Sequence, residues 1–148
     1  MAGLNVKIIK GERENKKSQM NLNEFEGLLE ELEKLREDSE EIPIIVEGPR
    51  DVEALRCLGV EGEFFQVSGT PFYELCERIT KGYSEVILFT DTDKAGQRLA
   101  KRLKSYFSQR GVKVRDKYRL TLLSRLDTHQ VENLPKRLYK VERQFYRF

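Results

Sequence analysis

The 148 residues make one ordinary domain, long enough to bury roughly 70% of its unfolded surface without a disulfide or metal staple. Hydrophobic residues are 39% of the chain in short clusters, none near the ~20 apolar residues of a membrane span. The first residues have too short an apolar part for a secretory signal, so the sequence reads as soluble and cytoplasmic, with no membrane partner.

The net charge of +2 hides an asymmetry. Residues 1–93 carry 11 Lys and Arg against 21 Asp and Glu, whereas residues 94–148 carry 16 against 4. A basic half of that density points to a polyanion, nucleic acid first, or else serves to neutralise the acidic half. Cys57 and Cys76 form no paired motif and there is one histidine, which argues against zinc. Both read as reduced helix-face residues.

In chain order, residues 1–20 are polar and read as a flexible arm, with Met1 and Met20 both candidate starts. From 21 to 148 the chain reads as a single domain. Residues 22–37 carry Phe25, Leu28, Leu29, Leu32 and Leu35 at helical spacing, with Asn21 or Asn23 as N-cap and a glutamate-rich outer face. Residues 42–47 form a buried-type strand, 51–58 a short helix stopped by Gly59, and 63–67 a second strand. A turn at 68–71 leads into a helix marked by Phe72, Leu75, Cys76 and Ile79. Residues 85–90 are a third strand, 95–109 a third helix after the first, ended by Gly111, and 117–123 a fourth strand. The last 25 residues are basic and aromatic. Alternating strands and helices predict an α/β fold, with a central mostly parallel sheet of about four strands and helices on both faces.

Ligands of open α/β sheets bind beyond the C-terminal strand ends. Two strands here run straight into acid: residues 42–46 into Glu47-Gly48, and 85–90 into Asp91-Thr92-Asp93. On extended backbone residues i and i+2 point the same way, so Asp91 and Asp93 are expected to act together, joined by Glu47 if their strands are neighbours. Three carboxylates at one edge repel unless a hard cation neutralises them. The all-oxygen donor set suits Mg²⁺, with Mn²⁺ as a substitute. Gly48 would let backbone and ligand approach closely, and Gly96 would serve the start of the next helix, whose N-terminus favours phosphate.

The pair of motifs resembles the Toprim family, the domain shared by bacterial-type primases, type IA and type II topoisomerases, and small ribosomal-RNA maturases and related nucleases. The glutamate motif corresponds to Ile44-Ile45-Val46-Glu47-Gly48 and the DxD motif to Thr90-Asp91-Thr92-Asp93-Lys94-Ala95-Gly96. Val67-Ser68-Gly69-Thr70 is similar to the glycine turn after the second strand of primases and maturases. The resemblance covers about residues 42–123 and implies a Toprim-like three-layer fold. It implies one metal on Glu47 and Asp91, a second on Asp91 and Asp93, and an acid or base role for Glu47. It also places Lys94, Arg50 and Asp51 near phosphates, with exposed helix-start positions the alternative for Arg50 and Asp51. Type IA topoisomerases usually carry glutamates where Ala95 and Gln97 stand here, and no tyrosine has the motif context of a strand-passing nucleophile. No primase zinc domain is visible. The likeness is to stand-alone Toprim proteins.

The leading expectation is a Mg²⁺-dependent nuclease, a hydrolase of RNA processing, that cleaves structured RNA in preference to DNA. Arg98, Lys101, Arg102 and Lys104, with Lys94, are the expected backbone contacts. Tyr139, Phe145 and Tyr146 either stack on unpaired bases or pack on the core. Alternatives are a non-catalytic nucleic-acid or ribonucleoprotein binding module, or a Toprim subunit of a primase- or topoisomerase-like machine with a protein partner. Residues 129–133, which hold the lone His129, read as a surface turn or cap, with a place near the site as the alternative.

Overall fold

A computed structural model describes residues 19–146, so nearly all of the expected arm lies outside the described residues. Met20, grouped with the arm by its polar neighbours, packs into the core at 6% exposure. Helix α1 (Leu22–Asp38) begins on a capping box: the Asn21 side chain accepts the Glu24 amide, and the Glu24 carboxylate accepts the Asn21 amide. Its buried stripe is Phe25, Leu28, Leu32 and Leu35, and its outer face remains glutamate-rich.

Four short strands follow: β1 (Ile44–Val46), β2 (Phe64–Gln66), β3 (Glu85–Leu88) and β4 (Lys113–Arg115). They form one sheet in the order β2-β1-β3-β4, and every neighbouring pair is parallel. The period of two splits each strand between two cores. Ile44, Val46, Ile87 and Phe89 join α1, α2 (Pro49–Cys57), α5 (Lys117–Arg125) and α6 (Leu134–Phe145) on one face. Ile45, Val86 and Leu88 join α3 (Phe72–Gly82) and α4 (Lys94–Ser108) on the other. The molecule is therefore a three-layer α/β fold with an all-parallel sheet.

The expected fourth strand at 117–123 is a helix instead, and β4 lies just upstream. The run alternates polar and apolar residues only in part. Its buried members, Tyr118, Arg119, Leu122 and Leu123, follow i, i+1, i+4, i+5, the stripe of a helix. Within the tail, Leu134, Leu138, Val141 and Phe145 bury one face of α6. Phe145 stacks on Phe25 with ring centroids 4.8 Å apart, and the half-exposed Tyr146 packs edge-on against the same ring at 6.0 Å, whereas Tyr139 stays exposed. Among the described residues no helix is long and apolar enough to cross a membrane.

β1 and β3 are hydrogen-bonded neighbours, yet β1 continues into α2 on one face and β3 into α4 on the other. The two connections diverge and leave a crevice at the C-terminal ends of these strands.

Candidate functional site

Glu47 follows β1 and Asp91 lies three residues after β3, so both stand at that crevice. The Asp91 amide donates to Glu47 Oε2 at 2.8 Å, a direct bond between the two strand ends. Asp91 Oδ1 accepts the Val131 amide at 2.8 Å. Asp93 is the N-cap of α4, and its Oδ1 accepts the Gly96 amide at 2.8 Å. Each of the three carboxylates thus commits one oxygen to a backbone N–H. No described residue donates a hydrogen bond to the other oxygen.

Asp91 and Asp93 do not share an edge through strand alternation. Strand pairing stops at Leu88, and the acids sit in the loop that leads to α4. Gly96 closes that loop. A Cβ there would lie 2.0 Å from the Asp91 carbonyl oxygen, so only glycine lets the first turn of α4 pass so near. Thr90, wholly buried, donates from Oγ1 to the Gly96 carbonyl at 3.1 Å and ties the same turn to the end of β3. Gly48 is different. Its φ of −157° suits any residue, and a Cβ would meet only Ser68 Oγ at 3.5 Å, so protein packing sets no demand for glycine there. Gly69, at φ +82°, takes the left-handed turn after β2.

Burial raises the Asp91 carboxyl to about 6 from an ordinary 3.8; the Val131 amide opposes this, and the charges of Glu47, Asp93 and Glu132 add to it. Burial also raises Glu47, against the pull of the Asp91 amide, with Asp51 and Asp93 adding like charge. Asp51 is buried, its Oδ2 accepts the Gly48 amide at 3.1 Å, and burial raises it too. It holds the start of α2 rather than lying exposed. Arg50 is exposed, 3.7 Å from Glu132.

The main supporting residue that sequence reasoning missed is Arg119. Its side chain is 1% exposed. Nη1 donates to the Asp91 carbonyl at 3.2 Å, Nη2 to Gln97 Oε1 at 2.8 Å, and Nε to Asp116 Oδ1. Its charge also lowers Glu47. A basic residue inside an assumed strand gives no signal of this role. The stretch 129–133 is a surface turn, with His129 and Gln130 exposed, and it also lies beside the site. The Thr92 amide donates to the His129 carbonyl at 2.8 Å, and Thr92 Oγ1 lies 3.1 Å from His129 Nδ1.

The comparisons with known proteins agree with this geometry. The Toprim domain model matches residues 42–123, more than half of the chain. The chain belongs to the Toprim family. A UPF0292 protein of Methanocaldococcus jannaschii is 51% identical over 96 residues, 64% of this chain and 75% of that one. A UPF0292 protein of Pyrococcus horikoshii is 36% identical over 128 residues, 85% of this chain and 92% of that one. A solved structure from Aquifex aeolicus superposes with a TM-score of 0.64 at 26% identity, covering 72% of this chain and 96% of that one.

Toprim domains typically bind Mg²⁺ and are associated with nucleic acids. In this Toprim chain, among the described residues, no group of three or more His, Cys, Asp or Glu converges closely enough to cage a cation. Each acid has one oxygen on a different backbone amide: Glu47 on that of Asp91, Asp91 on that of Val131, and Asp93 on that of Gly96. What the crevice offers is carboxylate oxygen from neighbouring strand ends, without sulfur. That fits Mg²⁺, which usually keeps several waters and takes one or two carboxylates directly, and does not fit a dedicated all-protein cage.

The basic residues of the Toprim chain divide. Lys94 opens α4, and Arg98, Lys101 and Arg102 lie on one exposed stretch of that helix. Lys104 is set apart, because its ammonium is paired with Asp116, the carboxylate that also holds Arg119.

Proposed function

We propose that this Toprim chain is a Mg²⁺-dependent phosphodiesterase acting on structured RNA, in a cytoplasmic setting, with Mn²⁺ able to substitute. The observation that carries this reading is the Glu47–Asp91 bond across the β1–β3 crevice, which gathers like charges at a topological switch point. Glu47 and Asp91 would hold the cation by their uncommitted oxygens, with Asp93 beside them. When bound, the cation supplies positive charge that offsets the phosphate and acidifies the attacking water. Glu47 Oε2 keeps the Asp91 amide, so Oε1 is the oxygen left for the cation. Lys94 and the first amides of α4 draw a phosphate oxygen. Arg119 fixes the Asp91 peptide, and Arg98 and Lys101 extend the backbone contact away from the crevice.

The test is cleavage of structured RNA, single-stranded DNA and duplex DNA with Mg²⁺, Mn²⁺ or EDTA, beside Glu47→Gln and Asp91→Asn. Metal-dependent cleavage of structured RNA that both substitutions abolish is the expected result. Salt-sensitive binding with no turnover, surviving both substitutions, replaces this reading with a non-catalytic ribonucleoprotein module or a Toprim subunit that works with a protein partner.

A further inference from the structure

Where α4 runs beside the start of α3, the surface carries a groove of about 580 Å³, inside the ~300–1,000 Å³ range of ligand clefts. Its floor is aromatic. Phe72, Tyr73 and Tyr106 form one cluster, with centroid separations of 5.2, 6.2 and 5.9 Å. Two guanidinium groups lie against the rings: Arg102 is 3.8 Å from the Phe72 centroid and 5.5 Å from Tyr73, and Arg110 is 3.7 Å from Tyr106.

Four features separate this face from an ordinary solvated one. Tyr73 is 64% exposed although it belongs to an aromatic cluster that could have been buried. No acidic residue lines the groove, and among the described residues no carboxylate pairs with Arg98, Lys101, Arg102 or Arg110. The guanidinium planes rest on rings, so most of their N–H donors remain free for an anion. The charge is also continuous with the crevice. By helical rise, the groove starts about 7 Å beyond the Asp93 cap at Arg98 and ends about 24 Å beyond it at Gln109.

We infer that this groove binds an unpaired strand of RNA leading away from the crevice. Bases stack on Tyr73 and on the guanidinium plane of Arg102, and phosphates meet Arg98, Lys101 and Arg110. Ser105 and Gln109 line the same groove with hydroxyl and amide groups, which can exchange hydrogen bonds with the ribose 2′-OH, a group DNA lacks. A polyanion with planar faces satisfies both the free cations and the exposed rings. A purely apolar partner would leave the cations unpaired, and an acidic peptide would leave the rings uncovered. The inference rests on the nucleic-acid half of the reading above and not on catalysis.

The test is fluorescence anisotropy in EDTA, with labelled oligonucleotides of about 12 nucleotides as single-stranded RNA, single-stranded DNA and duplex RNA. Tyr73→Ala, Arg102→Gln and, as a control on the far part of α3, Lys81→Gln are compared with the unaltered chain, each checked for an unchanged Tm. Single-stranded RNA is expected to bind tightest, and Tyr73→Ala and Arg102→Gln each to weaken it about 10-fold, with Lys81→Gln unchanged. Equal affinity of Tyr73→Ala, Arg102→Gln and the unaltered chain overturns the inference, as does duplex binding as tight as single-strand binding. Equal binding of single-stranded DNA overturns the assignment to RNA. Because EDTA prevents turnover, a chain that never cleaves RNA can still pass this test, and a working nuclease can fail it.

Discussion

Glu47 accepts the Asp91 amide at 2.8 Å across 44 residues of sequence, and this bond places two raised carboxyls side by side. A carboxyl raised in the folded state binds its proton more tightly there than in the unfolded chain. Its contribution to stability is complete below the unfolded value and is lost as pH rises through the folded one. For Asp91 that window runs from about 3.8 to about 6. In EDTA the Tm of the protein should therefore fall between these limits, with Glu47 and Asp51 acting in the same direction.

Asp91→Asn keeps an oxygen for the Val131 amide and removes the charge. It should melt higher than the unaltered chain at pH 7.5 in EDTA, and Mg²⁺ should raise the Tm of the unaltered chain alone. Differential scanning fluorimetry with and without Mg²⁺ decides this. An Asp91→Asn protein that melts no higher in EDTA and still gains stability from Mg²⁺ would remove Asp91 from the metal site.

Arg119 should matter more for stability than any exposed basic residue. Its guanidinium is buried against a backbone carbonyl, an amide oxygen and a carboxylate. Arg119→Met leaves the Asp91 carbonyl and Gln97 Oε1 without this donor while Asp116 keeps Lys104, and unsatisfied buried polar groups of this kind cost about 1–3 kcal/mol. Arg119→Lys cannot span three acceptors with one ammonium and should recover only part of the loss. Urea denaturation of the three proteins checks the order. Arg119→Met unfolding at the same urea concentration as the unaltered chain would mean the contacts carry no net stability.

The sequence made the strand ends legible because Glu47 and Asp91 each follow a β-rich apolar run, and a parallel sheet brings such ends to one edge. A mostly parallel sheet also followed from the strand–helix alternation, and in the structure every neighbouring pair is parallel. What the sequence could not show was the α5 helix, where Tyr118, Leu120 and Leu122 alternate with Lys117, Arg119 and Thr121 and mimic a strand over a short window. That error hid Arg119, since a buried arginine is legible only once its three acceptors, distant in sequence, are brought together. The groove was half legible. Arg98, Lys101 and Arg102 stood out as a basic run, but Tyr73 joins them through the packing of α3 on α4, which no local pattern encodes.

Lys101 and Lys104 stand close in sequence and should behave differently toward nucleic acid. Lys101 lines the basic groove, whereas Lys104 is paired with Asp116. For a single strand, each phosphate contact contributes about 0.7 to the slope of log affinity against log salt. Lys101→Ala should reduce the slope by about that amount. Lys104→Ala should leave it unchanged while lowering the Tm slightly, because Asp116 loses one of its two cations. A salt titration of RNA binding at several KCl concentrations reads both, and equal slopes for the two variants would show that helix position does not sort these lysines.

Two glycines of the acidic motifs should separate in the same way. At Gly96 a methyl group would lie 2.0 Å from the Asp91 carbonyl oxygen, and neither the first turn of α4 nor the end of β3 can yield without moving that carbonyl. The Asp91 carbonyl is also what Arg119 holds, and the Asp91 amide is what Glu47 holds, so one displacement disturbs the whole crevice. Gly96→Ala should cost about 1–3 kcal/mol, as overpacking does, and should abolish the Tm increase on adding Mg²⁺. At Gly48 the same methyl group meets Ser68 Oγ at an ordinary 3.5 Å on backbone that any residue adopts. Gly48→Ala should therefore melt within the small range of a neutral substitution, about 0.5 kcal/mol. If Gly48→Ala keeps its Tm and its response to Mg²⁺ yet loses cleavage, the glycine serves the approach of the substrate; if it keeps all three, Gly48 has no role beyond the turn into α2.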